Sequence, residues 1–556
     1  MLKYIRVGLV PLFSSLLFAM ICAAQSSSPI HFDLKILPFR IENSETPARN
    51  APETMPGGVA VFDYNGDGRP DIFFTNGGNI STLKKDDPKY RNRLYRNDGG
   101  GVFTEVTDDA GVAGTGYDMG VAVADYDNDG HPDMFVAGLH HGTLYHNNGN
   151  GTFSDVTVKS GLDALINKSD PQFGPWWEIT AVWIDVNNDG LLDLFVVNYM
   201  QWEYSDKALC KVEDFADYCH PRYYKGQPNQ LFLNNGDGTF RDVSLAWGIR
   251  QHVGKGMGGG LADYDLDGRP DIFVTNDASY NSLFHNTGKK FDEVAFESGV
   301  ALGEDGTFVS GMGLDFRDYN NDGYPDIVFV ALPNQTFPVF KNMGDGQFKE
   351  VTTDSGMRKL SRPISGFGVG LYDFDNDGWK DMFVSGGHVE SHDMPGQPVN
   401  QPNFIFRNSG RTGQWEAAEA GLDAAPKKRH RGCAFADFDG DGRIDVVVSA
   451  LGAEAEIWMN RSQNSGHWLE IALTGTKSNR DGIGARIQVV SKSLGAQYNH
   501  MTTSVGYASS SYGPVHFGLG SDTRADSIEI HWPSGIIQKL ENVPADQVLK
   551  VAEPGR

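Results

Sequence analysis

The chain is poor in cysteine, short of basic side chains, and has no long apolar run after its first two dozen residues. Four cysteines in 556 residues, with no C-x-x-C pair, exclude a zinc ribbon and a thioredoxin-type centre. Lys and Arg number 47 against 72 Asp and Glu, a formal charge of −25. A nucleic-acid binder would show the opposite balance. No segment beyond residue 24 approaches the ~20 apolar residues of a membrane helix. There is no G-x-S-x-G elbow, no Walker loop and no G-x-G-x-x-G between strand and helix. The residues therefore name no catalytic centre and leave enzyme activity open.

Residues 1–24 read as a secretory signal. Lys3 and Arg6 precede a short apolar stretch broken by Pro11, and Cys22-Ala23-Ala24 offers small residues before Gln25. The expected address is the medium, the periplasm or the cell surface. In that oxidising setting Cys210 and Cys219, nine apart in a polar, aromatic insertion, are expected to pair, and Cys433 reads as a small buried hydrophobe.

What is abundant is glycine, 67 residues, and a nine-residue pattern, Asp-x-Asp/Asn-x-Asp-Gly-x-x-Asp, that occurs seven times. Its first, third, fifth and ninth positions are Asp63, Asn65, Asp67 and Asp71, then Asp125, Asp127, Asp129 and Asp133. The third and fourth copies place Asp185, Asn187, Asp189 and Asp193, and Asp263, Asp265, Asp267 and Asp271. The last three place Asp318, Asn320, Asp322 and Asp326; Asp373, Asp375, Asp377 and Asp381; and Asp437, Asp439, Asp441 and Asp445. Three or four carboxylates in one tight loop suit a hard cation that wants six to eight oxygens, and calcium is the expected ion. The seventh position, held by Arg69, His131, Leu191, Arg269, Tyr324, Trp379 and Arg443, would add its backbone carbonyl. An EF-hand needs Glu at position 12 and a helix. Here position 12 is Phe or Val, within triplets such as IFF and MFV that read as strand.

A second pattern, L-[YF]-x-N followed by Gly and then F-x-x-V, trails each loop and reads as a strand, an Asn-Gly hairpin and a strand. With a Gly-rich apolar stretch before each loop, one unit has four strands. Seven units predict an all-β, seven-bladed β-propeller of 28 strands with about seven structural Ca2+. The last unit lacks its F-x-x-V strand, and an orphan strand at Leu37–Ile41 is expected to complete it.

The Asp loops and the Phe-Gly of GFGVG (from Gly366) resemble FG-GAP/VCBS repeats, the calcium-bearing blades of integrin α-chains, without the Gly-Ala-Pro half of that signature. The segments HWLEIALTG, SNRDGIGARIQVV, HFGLG and IEIHWPSG resemble the ASPIC/UnbV domain. That pairing is the organisation of the cartilage acidic protein family and its bacterial relatives. The resemblance implies a propeller over 30–462, a small all-β domain over 465–553, and a secreted calcium-binding protein. The expected role is a protein- or glycan-binding or adhesion module. The competing expectation is an extracellular polysaccharide lyase or hydrolase on the propeller face.

Other features have plainer expected roles. His388, Glu390 and His392 form H-x-E-x-H in a Gly/Pro-rich loop rather than on a helix, and Lys427 to Arg431 form a basic run; both read as solvated loops. Arg480-Asp481 reads as a turn. Insertions 164–180 (Trp176, Trp177), 199–228 (Trp202, Tyr204, Tyr218, Tyr223, Tyr224) and 388–403 are expected either to bind a partner through aromatics or to pack on the ring.

Overall fold

The triplet after each Asp loop is apolar on both faces, as in Asp71–Phe74 and Asp445–Ala450, and each such strand is wholly buried. A strand buried on both faces must lie inside a stack of sheets. In the computed structural model, which describes residues 29–555 apart from 206–209, 213–214, 423–424 and 464, these strands occupy second place in seven antiparallel four-stranded blades. The expected signal segment lies outside the described residues. The innermost strands, from Val59–Phe62 of blade 1 to His430–Ala436 of blade 7, touch in succession, and the last touches the first. Blade 7 takes its outer strand from the N-terminus: Phe32–Arg40 pairs antiparallel with Glu454–Asn460, so the two ends of the ring close on each other. That strand begins five residues earlier than Leu37, because Phe32 also buries, edge-on to Phe374.

Glycine crowds the innermost strands for a steric reason. A Cβ at Gly120 would stand 2.2 Å from the Ile179 carbonyl, and one at Gly260 would stand 2.4 Å from Leu314. The backbone of one innermost strand there lies directly against the carbonyl or side chains of the next blade.

The C-terminal residues form a three-stranded sheet (Val515–Gly520, His467–Thr474, Gln547–Ala552) and a four-stranded sheet (Gly495–His500, Arg486–Ser491, Arg524–His531, Ile537–Pro544). They pack on the ring face that carries the Asp loops. From them a hairpin, Ser504–Val505 and Ser509–Ser511, enters the ring's axis and joins the blade 1 sheet beside Val59–Phe62. Its serines accept N–H groups of three innermost strands: Ser509 from Val59, Ser510 from Val123 and Ser511 from Phe435, at 3.0–3.2 Å. Tyr507 at the tip is fully buried, stands edge-on to Phe367 and donates to the Met55 carbonyl at 2.8 Å. The axis of the propeller is thus filled by its own C-terminal domain.

Candidate metal centres and the opposite face

Each Asp loop folds on its own carboxylates. The first Asp accepts the N–H of the glycine at position six in all seven copies, at 2.7–3.0 Å. The fifth-position carboxylates accept the N–H of the seventh residue, from Arg69 to Arg443, at 2.9–3.2 Å. The ninth-position Asp is fully buried and bridges two strands. One oxygen accepts the N–H of the Asn in L-[YF]-x-N at 2.6–2.9 Å, and the other accepts the N–H of the loop's second residue. Where the third position is Asn, the amide donates within its loop: Asn65 to Asp67, Asn187 to Asp189 and Asn320 to Asp326.

The same Asn is more than a hairpin residue. Its side-chain amide donates to the carbonyl of the second loop residue in the preceding blade, at 2.9 Å in every case. The series Asn97, Asn147, Asn234, Asn286, Asn342, Asn408 and Asn460 runs once around the ring, Asn97 closing it on Phe438 of blade 7. Read as the first residue of an Asn-Gly turn, this Asn hid its role as the bond between blades.

Burial and crowding raise these carboxyls. Asp71, Asp133 and Asp271 are pushed up to about 7 and Asp125 to about 8, by burial first and neighbouring carboxylates second; for Asp125 that neighbour is Asp481. Asp193, Asp326, Asp381 and Asp445 are raised well above the ordinary range, again by burial. Donor oxygens of Asp125, Asp127 and Asp133 lie within 4.8 Å of one another, as do those of Asp263, Asp265 and Asp267 and those of Asp373, Asp375 and Asp381. One Asp375 oxygen is buried without any partner. Carboxylates held this close out of water call for a cation or for protons. The donor set is all oxygen and fits a hard divalent ion.

The C-terminal domain docks on this face, over the inner part of the loops, and leaves loop tips such as Gly66–Gly68, Asn187–Asp189 and Asp439–Gly440 exposed. Asp481, expected in a plain turn, accepts the backbone N–H of Asp125 at 2.8 Å and the hydroxyl of Tyr512 at 2.6 Å; the N–H of Arg480 donates to Asn128. Lys380, fully buried, donates to the carbonyls of Asp318 and Tyr498.

The opposite face collects the insertions, because every second strand runs away from its Asp loop. Cys210 and Cys219 form a disulfide there, and Cys433 is buried in the core. Trp176, Trp177 and Trp202 are buried and pack the insertions onto the ring, whereas Phe215 and Tyr223 are about 60% exposed. Tyr280, Phe296 and Phe308, which no sequence pattern singled out, lie about half exposed on blades 4 and 5 with ring centroids 4.7–4.8 Å apart.

Two expected solvated loops are not solvated. The basic run turns inward: Arg431 is fully buried over Phe367 and donates to the carbonyls of Thr54, His430 and His388, while Lys428 pairs with Glu456 and Arg429 with Glu45. The H-x-E-x-H segment packs on the disulfide insertion. His392 Nδ1 lies 2.7 Å from buried Asp217, which also accepts the Ser391 N–H. Burial and the Asp217 carboxylate lift Glu390 to about 7, and burial beside Arg431 lowers His388 to about 4. The signal missed was the pairing partner, Asp217, which lies far away in sequence.

Family models match both parts of the chain. The FG-GAP-like repeat model matches residues 63–136, 126–196, 222–274, 263–329 and 318–384, and the ASPIC and UnbV model matches 475–556. The chain belongs to the FG-GAP-like repeat proteins and carries an ASPIC and UnbV domain at its C-terminal end. Cartilage acidic protein 1 of Homo sapiens is 24% identical over 518 residues, 90% of this chain and 73% of that protein. The Xenopus tropicalis protein is 26% identical over 379 residues, 67% of this chain, which spans about half (54%) of that relative. Among solved structures, an Agrocybe aegerita lectin that recognises terminal N-acetylglucosamine aligns with TM-score 0.38 at 18% identity, over 72% of this chain and 87% of the lectin. A Bacillus licheniformis rhamnogalacturonan lyase aligns with TM-score 0.35 at 13% identity, over 77% of this chain and 75% of the lyase. Among the described residues no helix is long and apolar enough to cross a membrane.

Proposed function

We propose that the chain is an exported, calcium-stabilised propeller that binds a protein or glycan partner on the face opposite its Asp loops. The first-, third-, fifth- and ninth-position side chains of the seven loops would hold the ions, with the seventh-position carbonyls. The ions would neutralise clustered carboxylates and stiffen the blade edges on which the C-terminal domain rests. The observation that carries the reading is the contrast in exposure. The axis and the inner part of the loop face are covered by the C-terminal domain, and what the loop tips expose is polar, while Phe215, Tyr223 and the Tyr280–Phe296–Phe308 cluster stand open on the other face. Exposed aromatics on a rigid scaffold suit saccharide or protein contact.

The test is a glycan array and an extracellular-protein panel probed with the calcium-loaded chain and with Tyr223→Ala and Phe308→Ala variants. Specific binding reduced at least tenfold by either variant supports the reading. Binding that neither variant changes contradicts it. A second reading, a polysaccharide-active enzyme, draws on the Asp217–His392 pair beside Glu390, an arrangement fit for general acid–base chemistry. Chain shortening of acidic polysaccharides, lost in His392→Ala, would favour it.

A further inference from the structure

The seven loops differ at one position outside the Asp pattern, the residue just before the inter-blade Asn. In blades 2 and 4 it is His146 and His285. Blades 1, 5 and 6 have Arg96, Lys341 and Arg407 there, and blades 3 and 7 have Leu233 and Met459. The strand register aims this side chain at the loop. His146 Nδ1 stands 3.3 Å from an oxygen of Asp127 and 3.3 Å from one of Asp133. His285 Nδ1 stands 3.6 Å from Asp265 and 3.2 Å from Asp271. The ring nitrogen meets the third- and ninth-position carboxylates in both blades, so two separate repeats build one arrangement. The donor atoms of Asp127, Asp129 and His146 lie within 4.8 Å of one another, as do those of Asp265, Asp271 and His285.

These separations are those of neighbouring ligands. Donors about 2.0–2.2 Å from one tetrahedral ion stand about 3.3–3.6 Å apart. His146 Nδ1 is itself shielded from water and makes no hydrogen bond, although it faces two carboxylates and its ring is about a quarter exposed; His285 Nδ1 lies within hydrogen-bond reach of Asp271 at 3.2 Å. Elsewhere the position excludes such a role. Lys341 and Arg407 set cations against Asp322 and Asp375, at 3.2 and 2.9 Å; in blade 7, where the position is Met459, Arg461 on the far side of Asn460 pairs with Asp439 at 2.7 Å.

We propose that blades 2 and 4 are mixed imidazole–carboxylate sites that take a nitrogen-seeking divalent ion of the first transition row, zinc being the probe, while the oxygen-only loops take calcium. Calcium is a hard ion that gains little from imidazole, whereas zinc binds nitrogen and follows copper in the divalent affinity order. The proposal rests on the reading of the Asp loops as ion sites.

The experiment uses the untagged full chain, stripped by chelator and then dialysed against excess calcium with zinc at near-stoichiometric level, with both metals counted by elemental mass spectrometry. Two zinc ions per chain in the wild type and none in His146→Asn/His285→Asn, with calcium elsewhere unchanged, is the expected result. Calcium bound without retained zinc overturns this inference and leaves the parent reading standing. Zinc retained equally by the double variant also overturns it. No bound ion of either kind overturns both. Should the double variant fail to fold, pulsed electron paramagnetic resonance on the wild type with two equivalents of Cu2+ decides. Directly bonded nitrogen, halved in either single variant, is expected, and its absence overturns the proposal.

Discussion

The two faces of the ring are built on opposite plans. On one face a single nine-residue loop is repeated seven times, each copy bonded to the next by the same Asn amide, with the C-terminal domain docked on the inner part of the face. On the other face no two blades carry the same connection. Insertions bring together groups distant in sequence, such as Asp217 with His392 and Arg431 with Thr54. The repeated face accounts for cohesion, because each element is duplicated in register. The irregular face is where a distinctive surface can arise without disturbing the ring.

That contrast can be broken at the axis first. Tyr507→Ala removes a fully buried ring and its hydrogen bond to Met55, and should cost about 4 kcal/mol in denaturant melts. A loss under about 1 kcal/mol would mean the hairpin is not held in the axis. Next comes the inter-blade bond. Asn408→Ala strands the carbonyls of Tyr319 and Lys380 and the N–H of Gly410, all served by one side chain, and about 3 kcal/mol should be lost. An equal loss is expected at Asn234, since the geometry is the same.

The pH dependence sharpens the comparison. In the ion-free chain, Asp71, Asp125, Asp133 and Asp271 hold their protons to about 7–8, against 3.8 for an ordinary Asp. The unfolded chain releases these protons near pH 4 and the folded chain only near 7–8. Their contribution to ion-free stability is therefore fully present below about pH 4 and is lost as the pH rises to about 7–8. Ion binding needs the ionised carboxylates, so the loaded chain should gain stability over the same interval. Melting temperatures at pH 5 and pH 8 should move in opposite directions with chelator and with calcium. Parallel movement would remove the loops from the account. The smallest effect belongs to the irregular face: Phe308→Ala, at a half-exposed ring, should change stability by no more than about 0.5 kcal/mol, checked in the same melts.

Repetition also decided what could be read from the residues. The strands after each loop, the all-β architecture and the pairing of Cys210 with Cys219 were legible, because periodicity, β-branched triplets and cysteine spacing report on local structure. The Asn amide was visible as a pattern but not as a bond, since its acceptor lies 78–108 residues earlier or, for Asn97, across the closure of the ring. The fourth position of each loop is left-handed, which the Asp spacing does not reveal. Gly66, Asn128, Asn188, Asn321, Asn376 and Gly440 suit it, and Leu266, at φ 61°, is the one residue there that does not. The axial hairpin, the buried Arg431 and the pairing of the H-x-E-x-H segment with Asp217 could not be read, because each depends on long-range placement with no repeat to average over.

The central claim is that seven Asp loops hold structural ions on the face where the C-terminal domain docks. It is tested most directly by counting bound calcium on the purified chain and recording its thermal melt with and without excess chelator. The account predicts several divalent ions per chain, filling the loops, and a fall in melting temperature of more than about 10 °C on chelation, since each site saturated a hundredfold above its dissociation constant contributes about 2.7 kcal/mol. A chain that carries no bound divalent ion and melts unchanged in chelator would contradict it.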